Sequence, residues 1–251
     1  CLGMLKRVIV AHVRSFMRKR RNCLGRFYRQ AMRRYDIEGM QLMDVILNTV
    51  GGICMGNSPM ITIGIPFLNP GAFLADAIRS VFAQTFDDWE LILVNDGSTD
   101  GSIEMATRIS DTRVRVIDDG KHMGLVPRLN QIIDLSRGKY IARMDADDLM
   151  HPRRLETQVA FLRTHPNVQV VDTGAFVLDK ERKPVGVKKL RSSTLPNAIQ
   201  ALKYGVVLHA SVVARREWYL ANRYDPMFPR AEDRELFVRA LRTNIIAHIP
   251  Q

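Results

Sequence analysis

The sequence predicts an α/β protein with a mostly parallel central sheet and helices on both of its faces. From residue 58 onwards, short apolar runs rich in β-branched residues alternate with segments whose apolar residues recur at helical spacing. Such alternation is typical of parallel strands joined by crossover helices. The composition, 46% hydrophobic and 25% charged over 251 residues, is that of an ordinary globular protein and excludes collagen-like, low-complexity and disulfide-stabilised classes.

The predicted elements follow one another along the chain. We expect strands at Met60–Phe67, Glu90–Asn95, Arg113–Asp118 and Lys139–Asp145, and helices at Ala72–Gln84, Gly101–Ser110 and Leu125–Ser136. A further helix, Asp233–Leu241, and a strand, Ile245–Ile249, close the chain. Parallel sheets bind ligands at the carboxyl ends of their strands, so the polar residues just past those ends are the candidate functional residues.

Positive charge is concentrated before these elements. Residues 1–57 hold eleven Lys and Arg against three acids, a surplus of eight, whereas residues 58–251 carry a surplus of only three. Apolar residues at helical spacing over Leu5–Phe16, followed by four cations at Arg18–Arg21, predict a basic amphipathic helix. We expect residues 1–57 to be a basic segment and linker, either docked on an anionic membrane surface or solvated as a tail, and residues 58–251 to be a separate domain.

The sequence predicts a cytoplasmic protein. All three cysteines precede residue 57, and their spacing suits neither a disulfide framework nor a zinc site. The most apolar window, Gly39–Gly56, contains Gln41, Asp44 and Asn48, so no membrane-spanning segment is expected. Basic residues also interrupt the apolar positions near the N-terminus, which argues against a secretory signal.

Acidic residues follow two of the predicted strands. Asp96 comes after the second strand, and Asp145, Asp147 and Asp148 come at or just past the end of the fourth. Such residues can simply cap the next helix. Three carboxylates within four residues repel one another, however, and Mg²⁺ or Mn²⁺ shared with substrate phosphates would offset that charge. The G-x-G-x-x-G and G-x-x-x-x-G-K-[ST] motifs are absent, so the predicted ligand is a nucleotide held through metal and carboxylates.

Eight motifs, in order, resemble those of the family 2 glycosyltransferases, whose catalytic domain has the GT-A nucleotide-diphospho-sugar transferase fold. They are Ile63–Asn69, Ala77–Gln84, Leu93–Asp100, Gly124–Asn130, Gly138–Asp148, Pro152–Leu155 with Gln158, His209–Ser211, and Glu232-Asp233 with Leu236 and Arg239. The resemblance covers about residues 60–250. It implies that residues 58–251 are a glycosyltransferase catalytic domain.

The resemblance implies a role for each residue of the donor site. Asp96 resembles the carboxylate that contacts the nucleobase, and Pro66 and Asn69 resemble the loop that lines the same pocket. Asp145 and Asp147 resemble the DxD pair of the family. That pair meets the ribose and, through a divalent cation (Mn²⁺ or Mg²⁺), the diphosphate.

The acceptor side is implied in the same way. Asp233, with Glu232 before it, resembles the catalytic base, and His209 lies in a segment that lines the sugar or acceptor site in the family. Leu68 stands where the family often has Tyr, which removes the expected aromatic contact to the nucleobase. The chain ends at Gln251, soon after the helix that carries the base, so we expect the catalytic domain to be truncated at its C-terminal end.

The resemblance therefore predicts a metal-dependent inverting glycosyltransferase. It would move a sugar from a nucleotide-diphospho-sugar donor to a hydroxyl of a glycan or lipid-linked acceptor, in cell-surface polysaccharide or glycolipid synthesis at the inner face of the membrane. Nucleic acid is not an expected partner. Two alternatives stay open: a sugar nucleotidyltransferase, whose Gly-rich basic loop is missing from residues 66–72, and a catalytically inactive nucleic-acid-binding protein acting through residues 1–57. Arg143 and Arg154 could meet phosphate or pair with Asp147 or Asp148.

Overall fold

The computed structural model describes residues 58–179, 181–188, 206–241 and 245–249. The predicted helix Leu5–Phe16 and the three cysteines lie outside these ranges, so the basic N-terminal segment stays a prediction. Within the described ranges, no helix is both long enough and apolar enough to cross a bilayer.

Strands and helices alternate along the first half of the domain. The strands are β1 (Ile61–Phe67), β2 (Trp89–Asn95), β3 (Val114–Ile117), β4 (Tyr140–Arg143), β5 (Val168–Thr173), β6 (Ala175–Leu178), β7 (Pro184–Lys188), β8 (Val213–Arg215) and β9 (Ile245–Ile249). The helices are α1 (Phe73–Phe82), α2 (Ser102–Thr107), α3 (Leu125–Leu135), α4 (Arg154–Thr164), α5 (Arg216–Ala221) and α6 (Glu232–Ala240), and His209–Ser211 form a 3₁₀ turn.

Seven strands form one sheet in the order β3-β2-β1-β4-β8-β5-β9. The first four neighbours, β3 to β4, are parallel. Strand β8 runs antiparallel to both β4 and β5, and β9 pairs with β5 in parallel. Strands β6 and β7 make a separate antiparallel hairpin. The predicted fold class, a mostly parallel sheet of an α/β protein, is confirmed.

Helices cover both faces of the sheet because apolar side chains alternate along the strands. On one face, Ile61, Ile63 and Ile65 of β1 belong to a buried cluster that includes residues of α1, α2 and α4. On the other face, Ile92 of β2 contacts α3. Residues of β4, β5, β8 and β9 pack there against α3, α5 and α6.

Most predicted boundaries shift by one to three residues, and three of these shifts concern the site. The helix predicted at Gly101–Ser110 is shorter, because Gly101 has a left-handed φ of 82° and precedes the first turn. The strand predicted at Lys139–Asp145 ends at Arg143, and a turn follows in which the Asp148 N–H donates to the Asp145 carbonyl at 3.4 Å. Helix α6 begins at Glu232, so Asp233 is its second residue.

Candidate active site

The acidic and amide side chains lie past the carboxyl ends of three neighbouring strands. Asp96 follows β2, Asn69 lies two residues beyond β1, and Asp145 lies two residues beyond β4. In the sheet β1 lies between β2 and β4. Adjacent strands are about 4.8 Å apart, so the outer two strands of this group are roughly 10 Å apart.

The loops after β1 and β2 are tied together by hydrogen bonds. Asn69, in a left-handed conformation with φ of 49°, accepts a bond from the Thr99 N–H at 2.7 Å, and its own N–H donates to Ser98 Oγ at 3.0 Å. The Gly71 N–H donates to an Asp100 carboxylate oxygen at 2.6 Å. Asn69 is exposed, whereas Pro66 is buried inside β1. Of these two predicted pocket residues, only Asn69 therefore presents its side chain at the surface.

Asp96 is buried and surrounded by donors. Its carboxylate accepts bonds from the Met123 N–H at 2.7 Å, the Gly124 N–H at 3.0 Å and Arg128 Nε at 2.9 Å. His122 Nδ1 lies 2.9 Å from its second oxygen. Burial raises the pKa of Asp96, but the bonds from Met123, Arg128 and Gly124 outweigh burial and lower it overall. The carboxylate is therefore a permanently charged acceptor at neutral pH.

Arg128, which the sequence analysis did not single out, holds this part of the site. Its side chain is fully buried, and besides Asp96 it donates to both oxygens of Asp119, at 2.7 and 2.9 Å. These bonds lower the pKa of Asp119 to about 2. Arg128 stands four residues after Gly124 in the fourth motif, which is the one signal in the sequence that pointed to it.

The acidic loop after β4 separates its carboxylates. Asp145 forms an ion pair with both terminal nitrogens of Arg143. Asp147 and Asp148 are exposed, and within the described ranges neither side chain has an ion pair or hydrogen bond. Burial raises the pKa of Asp145, and Arg143 opposes that shift. The pKa of Asp148 is raised by desolvation and then by the charges of Asp145 and Asp147.

The two arginines beside this loop take different partners. Arg154 is buried and donates to Gln158 and to the carbonyl oxygens of Arg143 and Val212, at 3.0, 3.1 and 3.4 Å. Its environment lowers its pKa to about 10 through desolvation. Arg154 therefore supports the backbone behind the loop, and the predicted pairing of either arginine with Asp147 or Asp148 is not observed.

His209 lies against an aromatic cluster. Its Nε2 is 2.7 Å from the Tyr224 hydroxyl, and its ring contacts those of Tyr224 and Phe237. Burial, reinforced by the charge of Arg143, holds the pKa of His209 well below its usual range. The imidazole is therefore neutral at physiological pH. Tyr224, its partner, lies outside every motif that the sequence analysis used.

Glu232 and Asp233 differ in their surroundings although they are adjacent. Glu232 is buried, and desolvation followed by the charge of Asp233 raises its pKa. Asp233 is half-buried, and its Oδ1 accepts a bond from the Arg234 N–H at 2.8 Å. The charges of Arg143 and Asp145 also act on Glu232. The start of α6 and the acidic loop thus lie in one electrostatic cluster.

Arg143 is the centre of that cluster. It is buried, pairs with Asp145, and its charge affects the pKa of both His209 and Glu232. Its Nε is buried and has no hydrogen-bond partner among the described residues. Of the predicted residues, Asp145 therefore contacts this buried cation directly, and the charge of Arg143 also acts on His209 and Glu232.

The carboxylates suit a divalent cation only if the substrate supplies further ligands. Among the described residues, no three His, Cys, Asp or Glu side chains are grouped closely enough to hold a metal alone. Asp147 nevertheless offers free, hard carboxylate oxygens at the exposed end of the loop. Mg²⁺ and Mn²⁺ are commonly held by one or two carboxylates plus substrate phosphates, so the donor set fits such a cation.

Two solved structures share this fold. TarS 1-349 of S. aureus, in complex with UDP-GlcNAc, aligns with a TM-score of 0.62 at 17% identity, over 76% of this chain and 56% of that chain. The mannosyltransferase PcManGT from Pyrobaculum calidifontis, in complex with GDP-Man and Mn²⁺, aligns with a TM-score of 0.58 at 17% identity, over 78% of this chain and 56% of that chain. Both matches support the GT-A type of α/β fold.

Sequence relatives lead to the same family. EpsE of Bacillus subtilis (strain 168) is 40% identical over 129 residues, which is 50% of this chain and 46% of EpsE. The bifunctional glycosyltransferase pgtA of Dictyostelium discoideum is 37% identical over 134 residues, 47% of this chain and 17% of pgtA. The chain thus spans less than half the length of either relative. The pattern of the family named Glycosyl transferase family 2 matches residues 62–220, and the chain belongs to that family.

Proposed function

We propose that this chain is a metal-dependent inverting glycosyltransferase that moves a sugar from a nucleotide-diphospho-sugar to an acceptor hydroxyl. The observation that supports it most is the cluster around Arg143, which joins the acidic loop after β4 to the acid pair that opens α6. One side of the cluster suits a diphosphate and the other an acceptor. TarS and PcManGT, which share the fold, were solved with donors of this class.

In this proposal the nucleotide lies across the carboxyl ends of β2, β1 and β4. The charged Asp96 accepts a hydrogen bond from an N–H of the nucleobase. Asn69 and the loop that Pro66 leads into form the wall beside it. Asp145, fixed by Arg143, meets the ribose, and the roughly 10 Å between β2 and β4 matches the reach of a nucleoside diphosphate.

Asp147, assisted by Asp145, would hold Mn²⁺ or Mg²⁺ together with the diphosphate. A bound cation of this kind offsets the negative charge that develops on the departing diphosphate. Asp147 is suited to this task because it is exposed and because no described side chain already neutralises it. Asp148 adds to the negative potential of the loop.

Asp233 accepts the proton of the acceptor hydroxyl in this proposal. Inversion needs one base on the side of the sugar opposite the leaving diphosphate, and a carboxylate at the start of α6 is aligned with the positive end of the helix dipole. Glu232 is the alternative base, because it directly precedes Asp233 at the start of α6. The neutral His209, held by Tyr224, would line the sugar or acceptor side.

The proposed setting is cell-surface polysaccharide or glycolipid synthesis, at the cytoplasmic face of the membrane. The acceptor is then a glycan or a lipid-linked sugar, and the basic segment 1–57 provides peripheral membrane contact. Membership of the family makes a sugar nucleotidyltransferase or an inactive nucleic-acid-binding protein the less favoured alternatives.

Nucleotide binding tests the donor proposal directly. We expect one of UDP, GDP, dTDP or CMP, with Mn²⁺, to raise the unfolding temperature in a thermal-shift panel. A ligand at 100 times its Kd adds about 2.7 kcal/mol of stability, which such a panel detects. Equal affinity in Mn²⁺ and in EDTA, measured by calorimetry, would show that the metal assignment is wrong. Absence of any nucleotide effect would contradict the donor site itself.

Asp147→Ala serves as the variant in the same measurement. We expect Mn²⁺-dependent nucleotide affinity to fall by more than about tenfold, or 1.4 kcal/mol, because the diphosphate loses its link to the protein. Asp87→Ala is the matched control, since it removes one exposed carboxylate just before β2, at the opposite edge of the sheet. The control should bind nucleotide as the unmodified chain does.

A further inference from the structure

The hairpin β6–β7 exposes an unusual amount of apolar surface. Phe176, Leu178, Val185 and Val187 are 61%, 37%, 63% and 54% exposed, respectively. The hairpin forms its own two-stranded sheet and pairs with no strand of the central sheet. Contiguous exposed apolar surface of this kind marks interaction sites in soluble proteins.

Strand geometry places Phe176, Leu178 and Val187 on one face, which we call the hairpin face. Phe176 pairs directly with Val187 in the antiparallel register. Leu178 is two residues from Phe176, and alternate residues of a strand share a face. The pairing then shifts from Val177–Gly186 to Leu178–Pro184, so Val185 is the extra residue of a β-bulge beside that face. Val177, paired with Gly186, lies on the opposite face.

The hairpin is anchored at its turn. Arg182, with φ of 62°, forms an ion pair with the buried Asp76 of α1, and its guanidinium lies 5.6 Å from the centre of the Phe73 ring. The Lys183 N–H donates to Asp179 Oδ1 at 2.8 Å and closes the turn. The hairpin face is therefore presented by a structure that is fixed to the domain.

Cations stand at both ends of β7. Lys183 precedes the strand and Lys188 ends it, both are exposed, and neither forms an ion pair among the described residues. The turn also carries the exposed Glu181, so the two lysines exceed the exposed acids of the hairpin by one charge. Two copies of the hairpin face packed together would bring these like charges close, which disfavours self-association. An anionic surface instead attracts the lysines while the apolar side chains enter it, and long lysine side chains reach such a surface from either side of a strand.

We propose that the hairpin face docks on an anionic phospholipid membrane. Membrane docking does not depend on the proposed sugar transfer, but the hairpin is placed where docking would favour transfer at a membrane. Strand β6 begins two residues after β5, whose last residue, Thr173, exchanges hydrogen bonds with Ser211 at 3.1 and 2.8 Å. Ser211 belongs to the same 3₁₀ turn as His209. Docking would therefore bring the carboxyl edge of the sheet to the lipid surface.

A tryptophan introduced into the hairpin face reports on lipid contact. We would measure the indole emission of F176W in the full chain with vesicles of phosphatidylglycerol and brominated phosphatidylcholine, whose bromines quench an inserted indole. V177W is the matched control on the opposite face. The native Trp89 and Trp218 are each only 3% exposed, so their emission contributes a constant background. Both variants keep residues 1–57, so that segment contributes equally.

With anionic vesicles, we expect the indole emission of F176W to shift to the blue and to be quenched several-fold more than that of V177W. With neutral vesicles, both effects should be far smaller. Equal quenching of the two variants, or none, would overturn the proposal. A blue shift that grows with protein concentration in the absence of lipid would identify a second copy as the occupant. Emission already shielded in dilute, lipid-free protein would show that the chain covers the face itself. Either of these last two results also overturns the proposal that the hairpin face docks on a membrane.

Discussion

At the scale of single residues, Arg143 makes Asp145 and Asp147 different, because it forms an ion pair with Asp145 only. Its guanidinium pairs with Asp145, and this pairing fixes that carboxylate at the start of the acidic loop. A buried charge is costly without a partner, so Arg143 depends on Asp145 as much as the reverse. Asp147, like Asp148, is left without a charged partner in the described part of the chain, and these two carboxylates are therefore available to an incoming cation.

Asp233→Asn tests the proposed base. The amide keeps the size of the side chain and still accepts the Arg234 N–H, but it cannot take a proton from the acceptor. We expect turnover to fall by a factor of about 10²–10⁴, with nucleotide affinity and unfolding temperature nearly unchanged. Glu232→Gln is the neighbouring control and should lose less activity. Sugar transfer by Asp233→Asn at a near-normal rate would exclude Asp233 as the base.

The pH dependence of turnover distinguishes the two acids further. Burial and the charge of Asp233 raise the pKa of Glu232, and a base acts only when it is ionised. If Glu232 were the base, activity would decline on the acid side at a higher pH than for an ordinary carboxyl group. An acid-side decline that stays at this raised pH in Glu232→Gln would show that Glu232 is not its source.

The sequence located these acids but not their partners. Asp96 and Asp145 were predictable because each follows a recognisable strand, and parallel strands end at one edge of the sheet. The role of Arg128 was not predictable, because arginine is rarely fully buried. In addition, its hydrogen bond to Asp96 joins residues that are 32 positions apart in the sequence. Such a contact exists only once β2 and α3 are packed together. The roles assigned to the acids stay predictions.

At the scale of elements, α3 lies unusually close to β1. A Cβ added at Gly64 would be 2.4 Å from Cγ2 of Ile132, which leaves no space for a side chain. The absence of a side chain at Gly64 therefore allows the helix to approach the strand that carries the Asn69 loop.

Gly64→Ala should destabilise the domain by about 1–3 kcal/mol, because Cγ2 of Ile132 is close to its own backbone and cannot move away easily. Gly186→Ala is the matched control, since its added Cβ would be 3.7 Å from Val177, an ordinary contact. Urea unfolding measures both. Combining Gly64→Ala with Ile132→Ala should cost less than the sum of the two single changes, and strict additivity would refute the steric explanation.

The elements up to β4 were predicted in order and type, because each alternates regularly between apolar strand and amphipathic helix. Beyond Asp148 the sequence analysis assigned no element before α6. Strand β8 has three residues and runs antiparallel, and β7 is exposed along its whole length. Elements this short or this exposed carry too little apolar periodicity to be recognised. Helix α4 and strand β5 were missed as well, although both are longer and buried and although Leu155, Val159 and Leu162 recur along α4 at helical spacing.

At the scale of the whole molecule, charge is divided unevenly along the sequence. The surplus of eight positive charges in residues 1–57 precedes the matched family region, whereas the domain that follows is nearly balanced. The proposed sugar transfer needs no contribution from that segment, because every residue assigned to it lies between Pro66 and Asp233. A role in localisation therefore remains the proposal for residues 1–57.

Sedimentation with anionic vesicles tests this proposal. We expect a shortened chain beginning at Ser58 to pellet much less than the full chain, because each Lys or Arg near an anionic surface contributes about 1 kcal/mol. The difference should shrink as salt is raised, since screening shortens the reach of these charges. The matched change within the full chain replaces the four residues Arg18–Arg21 with Gln. We expect it to lower vesicle binding to a level between those of the full and the shortened chain.

The same measurement distinguishes the segment from the hairpin face. Binding that survives removal of residues 1–57 should fall further with Phe176→Ser but not with Val177→Ser, because only Phe176 lies on the hairpin face. Equal pelleting of the full and shortened chains would show that the basic segment has no membrane role. The membrane contact, if retained, would then belong to the catalytic domain alone, next to the edge of the sheet where the proposed acceptor is bound.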